Sequence, residues 1–133
     1  MDLPIKVSFG LEVCYVPEYE ETLREILKPY HFDFLVGAIH SIDGKLYDMK
    51  WSEEILWNKY PINDIYKRYY ECVFSLVKSD LFTQLAHPDT IKMFGHYPTY
   101  DLQPTYDELA ELLNEHHMKA EKQCRMLLSL SYT

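Results

Sequence analysis

The sequence predicts an α/β fold of parallel strands flanked by helices, and three observations carry that prediction. Residues 7–12, 34–40 and 81–87 look like buried strands of ordinary length, the first alternating with a period of two and the second continuously apolar. Segments with helical spacing of apolar residues follow each of them, giving the order β-α-β-α-β-α, about three β-α units. Each strand segment closes on a residue able to bind a metal ion, namely Glu12, His40 and His87. In parallel α/β architectures the C-terminal strand ends form the chemical face, so one carboxylate and two imidazoles are expected to share a site there.

In the first strand Ile5, Val7, Phe9, Leu11 and Val13 fall on one face, and Lys6, Ser8, Gly10 and Glu12 on the other. Glu12 therefore shares its face with small residues, as the floor of a site requires. Pro17 suits the first turn of a helix, where the dipole favours Glu18, Glu20 and Glu21, and Pro29 marks its end. The strand ending at His40 is apolar throughout, which fits a strand covered on both faces. Residues 41–51 read as a loop with turn chemistry at Asp43 and Gly44.

A helical stripe then runs through Ile62, Ile65, Tyr66, Tyr69, Cys72, Val73, Leu76 and Val77 as far as Lys78. The third strand follows and leads from His87 into Pro88 and Asp89. After a tyrosine- and proline-bearing loop over 94–104, Thr105 and Glu108 form an expected capping box for a last helix. Its stripe includes Leu109, Leu112, Leu113 and His116.

With 133 residues, 47% of them hydrophobic, the chain can bury one core and is expected to form a single domain over 1–133. It has no apolar run near the ~18 residues of a membrane span and no signal-peptide pattern, so a cytoplasmic location without a membrane partner is expected. The net charge of −8 argues against a nucleic-acid groove, which needs clustered Lys and Arg. Cys14, Cys72 and Cys124 lack any C-x-x-C pair and are expected to be buried free thiols. His31, His116 and His117 lie on or beside helices, where surface or structural roles are expected. His96 sits in a loop and is expected to be structural or substrate-facing before it is a ligand.

Several of these stretches resemble successive motifs of the PHP family, named for polymerase and histidinol phosphatase. They are Gly10-Leu11-Glu12-Val13, Asp33-Phe34 with Val36-Gly37-Ala38-Ile39-His40 and Ile42-Asp43-Gly44, and Leu85-Ala86-His87-Pro88-Asp89 with Ile91-Lys92 and Phe94-Gly95. The resemblance is closest to the histidinol-phosphatase branch and covers about residues 5–121. It implies a partial (β/α) barrel of PHP type. By position it implies that Glu12 is the family's metal-bridging carboxylate and that His40 and His87 complete one metal position.

The resemblance also implies hydrolysis of a small phosphomonoester, typically histidinol phosphate, with a divalent metal (zinc, manganese or iron) as cofactor. Asp89 or Asp43 is expected to orient a ligand histidine. The family's His-x-His and Asp-x-His motifs are absent from these residues. One ion in this chain is therefore expected, with activity weak or absent in the chain alone. The chain is read as truncated at both ends, with residues 122–133 either a frameshifted, aberrant tail or an ordinary helix end.

The alternative is a non-catalytic structural or partner-dependent half-barrel. Unpaired sheet edges would favour a homo-oligomer or a complementing chain. A polymerase-associated module is disfavoured by the acidic charge and by the closer match to the phosphatase branch.

Overall fold

The computed structural model describes residues 4–120. In chain order these form β1 (Gly10–Cys14), a 3-10 turn (Pro17–Tyr19) leading into α1 (Glu20–Leu27), and β2 (Phe34–Ala38). A hairpin of β3 (Ser41–Ile42) and β4 (Lys45–Leu46), a π-helical turn (Glu53–Trp57) and α2 (Ile62–Lys78) follow. The chain continues through β5 (Gln84–Leu85), a 3-10 turn (Thr90–Lys92), α3 (Gln103–Glu115) and β6 (Lys119–Ala120). Four strands form one sheet in the order β1-β2-β5-β6, and every pairing in it is parallel. Residues 122–133, and with them Cys124 and the expected tail, lie outside the described residues.

Strand alternation divides the interior in two. On one face Ile39 and Leu85 join Tyr15, Phe82 and the stripe of α2, where Ile65, Tyr66, Tyr69, Tyr70, Cys72, Val73, Leu76 and Val77 are all buried. A fully buried Leu such as Leu76 contributes roughly 1.5–3 kcal/mol. Gly37 lets α2 and Phe82 come this close, because a Cβ there would stand 2.7 Å from the Phe82 ring and 3.0 Å from Leu76. The opposite face carries the small side chains Val36, Ala38 and Ala86, with Phe34 packed against them. Burial pushes the Cys72 thiol up to about 11, so it is an inert core group. Cys14, expected to be buried, is exposed because it ends the outer strand.

Several expectations change in detail. The expected loop after His40 is a hairpin, with Asp43 (φ 49°) and Gly44 (φ 78°) as its two left-handed turn residues. The third strand pairs only over Gln84–Leu85 rather than over 81–87. The capping box of Thr105 and Glu108 does not form, because α3 begins earlier, with Pro104 in its first turn. Asp101 Oδ1 instead accepts from the Gln103 N–H at 3.0 Å. At the other end of α3, His117 takes the left-handed position (φ 54°) and the Met118 N–H closes onto Leu113 O.

The alternating face of the first strand also departs from expectation. Val13 packs against the core, whereas Ile5, Val7, Phe9 and Leu11 are 70%, 65%, 63% and 45% exposed. β1 is the outer strand of the sheet, and the helical layer reaches no farther along it than Val13 and Tyr15. Among the described residues no helix is long and apolar enough to cross a membrane.

Candidate metal centre

Glu12, His40 and His87 come together. One donor atom from each lies within 4.8 Å of the other two, and this is the single such grouping of three among the described residues. Their placement corrects the expectation that each closes its strand. Glu12 is the central residue of β1 and pairs beside Val36, while His40 and His87 each stand two residues beyond the ends of β2 and β5. Parallel pairing still aims all three at one spot. The chain leaves the sheet after Ala38 and after Leu85, and the imidazoles turn toward the face on which Glu12 lies.

His40 Nε2 is 3.6 Å and His87 Nε2 is 3.8 Å from Glu12 Oε1. These separations are too long for hydrogen bonds. They suit a cation between the groups, since two donors each about 2.1 Å from one ion at a tetrahedral angle lie ~3.4 Å apart. The two rings meet edge to face with centroids 5.1 Å apart.

Asp48 sets the orientation of His40. Its Oδ2 lies 3.0 Å from His40 Nδ1, and because a carboxylate can only accept, Nδ1 carries the proton and leaves the Nε2 lone pair for a ligand. Sequence reasoning missed this residue and chose Asp43 or Asp89. Asp43 instead receives the Arg68 guanidinium at 2.9 Å, and Arg68 also holds Glu18 and Glu71. Asp89 is buried, accepts from the hydroxyls of Tyr70 and Tyr106, and pairs with Lys92 at 3.4 Å. Asp48→Asn is expected to weaken divalent-metal affinity by about 10- to 100-fold, read in a competition titration against a metal indicator. Unchanged affinity would remove Asp48 from this role.

His87 carries two unfavourable features at once. Its backbone takes φ 28°, and its Nδ1 is buried without a hydrogen-bond partner. The turn around it is held by the Thr90 hydroxyl on His87 O at 2.7 Å and by the Tyr69 hydroxyl on Pro88 O at 3.2 Å. Such a carboxylate and imidazole donor set, with one imidazole held by a second carboxylate, fits a divalent transition metal.

The other candidates lie elsewhere. His96 stacks on Trp57 at 4.4 Å and hydrogen-bonds Glu53, and its carbonyl accepts from Tyr66, so it braces the π-helical turn. His116 Nδ1 pairs with Asp80 at 2.6 Å, and His31 and His117 are exposed. A cavity of about 450 Å³ lies between the hairpin and α2 along Ile42, Tyr60 and Arg68, and its lining includes none of the three donors. The donor cluster is open, with the Glu12 side chain 51% exposed.

A parallel α/β sheet on which a mid-strand carboxylate meets two imidazoles from just beyond the neighbouring strands has the layout of an α/β protein with a candidate metal site. Residues 1–124 match the PHP domain, and the chain belongs to that family, whose fold is of the (β/α) barrel type. It is similar to a probable histidinol-phosphatase of Clostridium acetobutylicum, 26% identical over 111 residues that cover 83% of this chain and 41% of that protein. It is likewise similar to a probable histidinol-phosphatase of Deinococcus radiodurans, 27% identical over 104 residues that cover 77% of this chain and 38% of that protein. The chain thus spans about two fifths of the length of these relatives.

Proposed function

We propose that this chain is a metal-dependent phosphoesterase domain for small phosphomonoesters, with histidinol phosphate the first substrate to test. Glu12, His40 and His87 hold one divalent ion in this reading. The observation that carries it is the convergence of these three donors at 3.6 and 3.8 Å in a chain of the PHP family. A bound ion would supply Lewis-acid polarisation of a phosphoryl oxygen and would acidify a water molecule. The chain's own residues do the positioning. Asp48 keeps the proton on His40 Nδ1, Thr90 and Tyr69 fix the turn that carries His87, and Glu12 brings the negative charge that draws the cation in.

The same geometry limits turnover. The Glu12 side chain is half exposed and His40 is open to solvent, so water is poorly excluded and a substrate is weakly positioned. Activity of the chain alone is expected to be weak or absent, and a cytoplasmic location belongs to the same reading. The exposed apolar row from Ile5 to Leu11, which leads into β1, favours a second reading, a non-catalytic half-barrel that depends on a partner.

The test is elemental analysis of protein purified without chelator, followed by phosphate release from histidinol phosphate and from a generic aryl phosphate. About one tightly held transition-metal ion per chain, with slow phosphate release lost in Glu12→Ala, supports the phosphoesterase. Absence of metal after reconstitution with zinc, manganese and iron in turn would overturn it in favour of the non-catalytic reading.

A further inference from the structure

The outer edge of β1 carries a pattern that is complementary to itself. The Phe9 N–H donates to Asp33 Oδ2 at 2.6 Å, Phe9 O accepts from the Asp33 N–H at 2.7 Å, and the Tyr15 N–H donates to Ala38 O at 2.8 Å. Odd-numbered residues therefore direct their backbone groups inward, toward β2. Alternation turns those of Gly10 and Glu12 outward, and carried back into residues 6–9, which precede β1, it would turn those of Lys6 and Ser8 outward too, a row of donors and acceptors that no described strand covers.

We propose that two copies of this chain pair antiparallel through this edge in a register centred on Phe9, placing the partner's Lys6 opposite Glu12. Directly opposed residues in an antiparallel pair are about 5.5 Å apart at hydrogen-bonded positions, within reach for a lysine and a glutamate. On that face Ser8 meets the partner's Gly10, and each Lys6 meets a Glu12. On the other face Phe9 meets the partner's Phe9 and Val7 meets the partner's Leu11, so cross-strand contacts bury the flanks of the exposed apolar row.

The neighbouring registers are worse. Centring on Gly10 sets Ser8 opposite the partner's Glu12 and loses both ion pairs. Centring on Ser8 brings Pro4, which has no N–H, into the ladder opposite the partner's Glu12. Pairing about a two-fold axis closes on itself and gives a dimer rather than a fibre.

Glu12 belongs to the donor cluster, so the partner copy adds a residue to each site. The partner's Lys6 brings an ammonium group to the rim of the Glu12, His40 and His87 cluster, where it would attract a phosphate dianion. This last consequence rests on the phosphoesterase reading; the pairing does not.

The experiment is molecular mass by light scattering and sedimentation on metal-free protein for the wild type, Lys6→Glu, Glu12→Lys and the double charge swap. A wild-type dimer that each single variant weakens at least tenfold, and that the double swap restores, supports the register. A wild-type monomer, or a dimer indifferent to both single variants, overturns it. Oxidation of Phe9→Cys, compared with Val7→Cys, gives a readout that does not depend on the charge variants folding. Rapid covalent dimerisation of Phe9→Cys alone is expected, and equal rates for the two would overturn the register. Metal content of the wild type reports separately on the site, so either claim can fail without the other.

Discussion

Replacing His87 with alanine is expected to abolish stoichiometric metal binding. The imidazole is the most enclosed of the three donors, with its side chain 8% exposed, whereas His40 and Glu12 are open to solvent. Its loss leaves one carboxylate and one imidazole, a pair that competes poorly with water for a divalent ion. Elemental analysis after gel filtration should fall from about one ion per chain to background, with affinity lowered at least 100-fold, about 2.7 kcal/mol. Alanine keeps the awkward φ of 28° at this position, so His87→Gly is the companion variant. Glycine should lose the metal equally while destabilising the fold less. Metal retained by both variants would remove His87 from the site.

Alkaline pH is expected to unfold the protein cooperatively. Tyr47, Tyr66, Tyr69 and Tyr70 are at most 2% exposed, and burial raises the pKa of each well above that of an ordinary phenol. Their contribution has a definite sign. Below pH ~10 both folded and unfolded chains keep these phenols protonated, and the groups add no pH dependence. Above that, the unfolded chain releases protons that the folded chain retains, so stability falls as pH rises. Each phenol contributes about 1.4 kcal/mol per pH unit, so at pH 11 the four together withdraw up to about 6 kcal/mol. That rivals the ~5–15 kcal/mol that holds a typical domain together. Phenolate absorbance from these tyrosines should therefore appear in step with loss of the near-ultraviolet dichroism. Reversible titration near pH 10 with the fold intact would show that they are not sealed in the core.

Long, strongly patterned segments were legible in the sequence. The stripe from Ile62 as far as Lys78 marked α2 to the residue, because seventeen residues of helical spacing outweigh any local ambiguity. The grouping of Glu12, His40 and His87 was also legible, since each lies at or near the end of a strand segment in a chain that alternates strand and helix. Short elements were not. β3, β4 and β6 have two residues each, a single period of alternation, which cannot distinguish a strand from a loop, and β5 was legible only as a longer strand than the two residues that pair.

Other errors came from context that a sequence does not display. Alternation from Ile5 to Leu11 signalled burial, but burial also needs a neighbouring layer, and the core stops at Val13. Asp48 was invisible for a related reason. It reaches His40 only because the β3–β4 hairpin folds the chain back over eight residues, and no spacing rule singles out one aspartate from the others nearby.

That hairpin has a consequence for the order in which the site can assemble during folding. Its turn closes a short loop, so the contact between His40 and Asp48 can form early and locally. Glu12 and His87 meet His40 only when β1, β2 and β5 have paired in parallel, which requires closing long loops and is intrinsically slow. An oriented histidine therefore precedes the complete donor set, and an ion held by all three groups would recognise only the chain whose sheet is already built. Metal added during refolding should leave the early rate unchanged and act late, as a latch on the finished sheet that slows its unfolding.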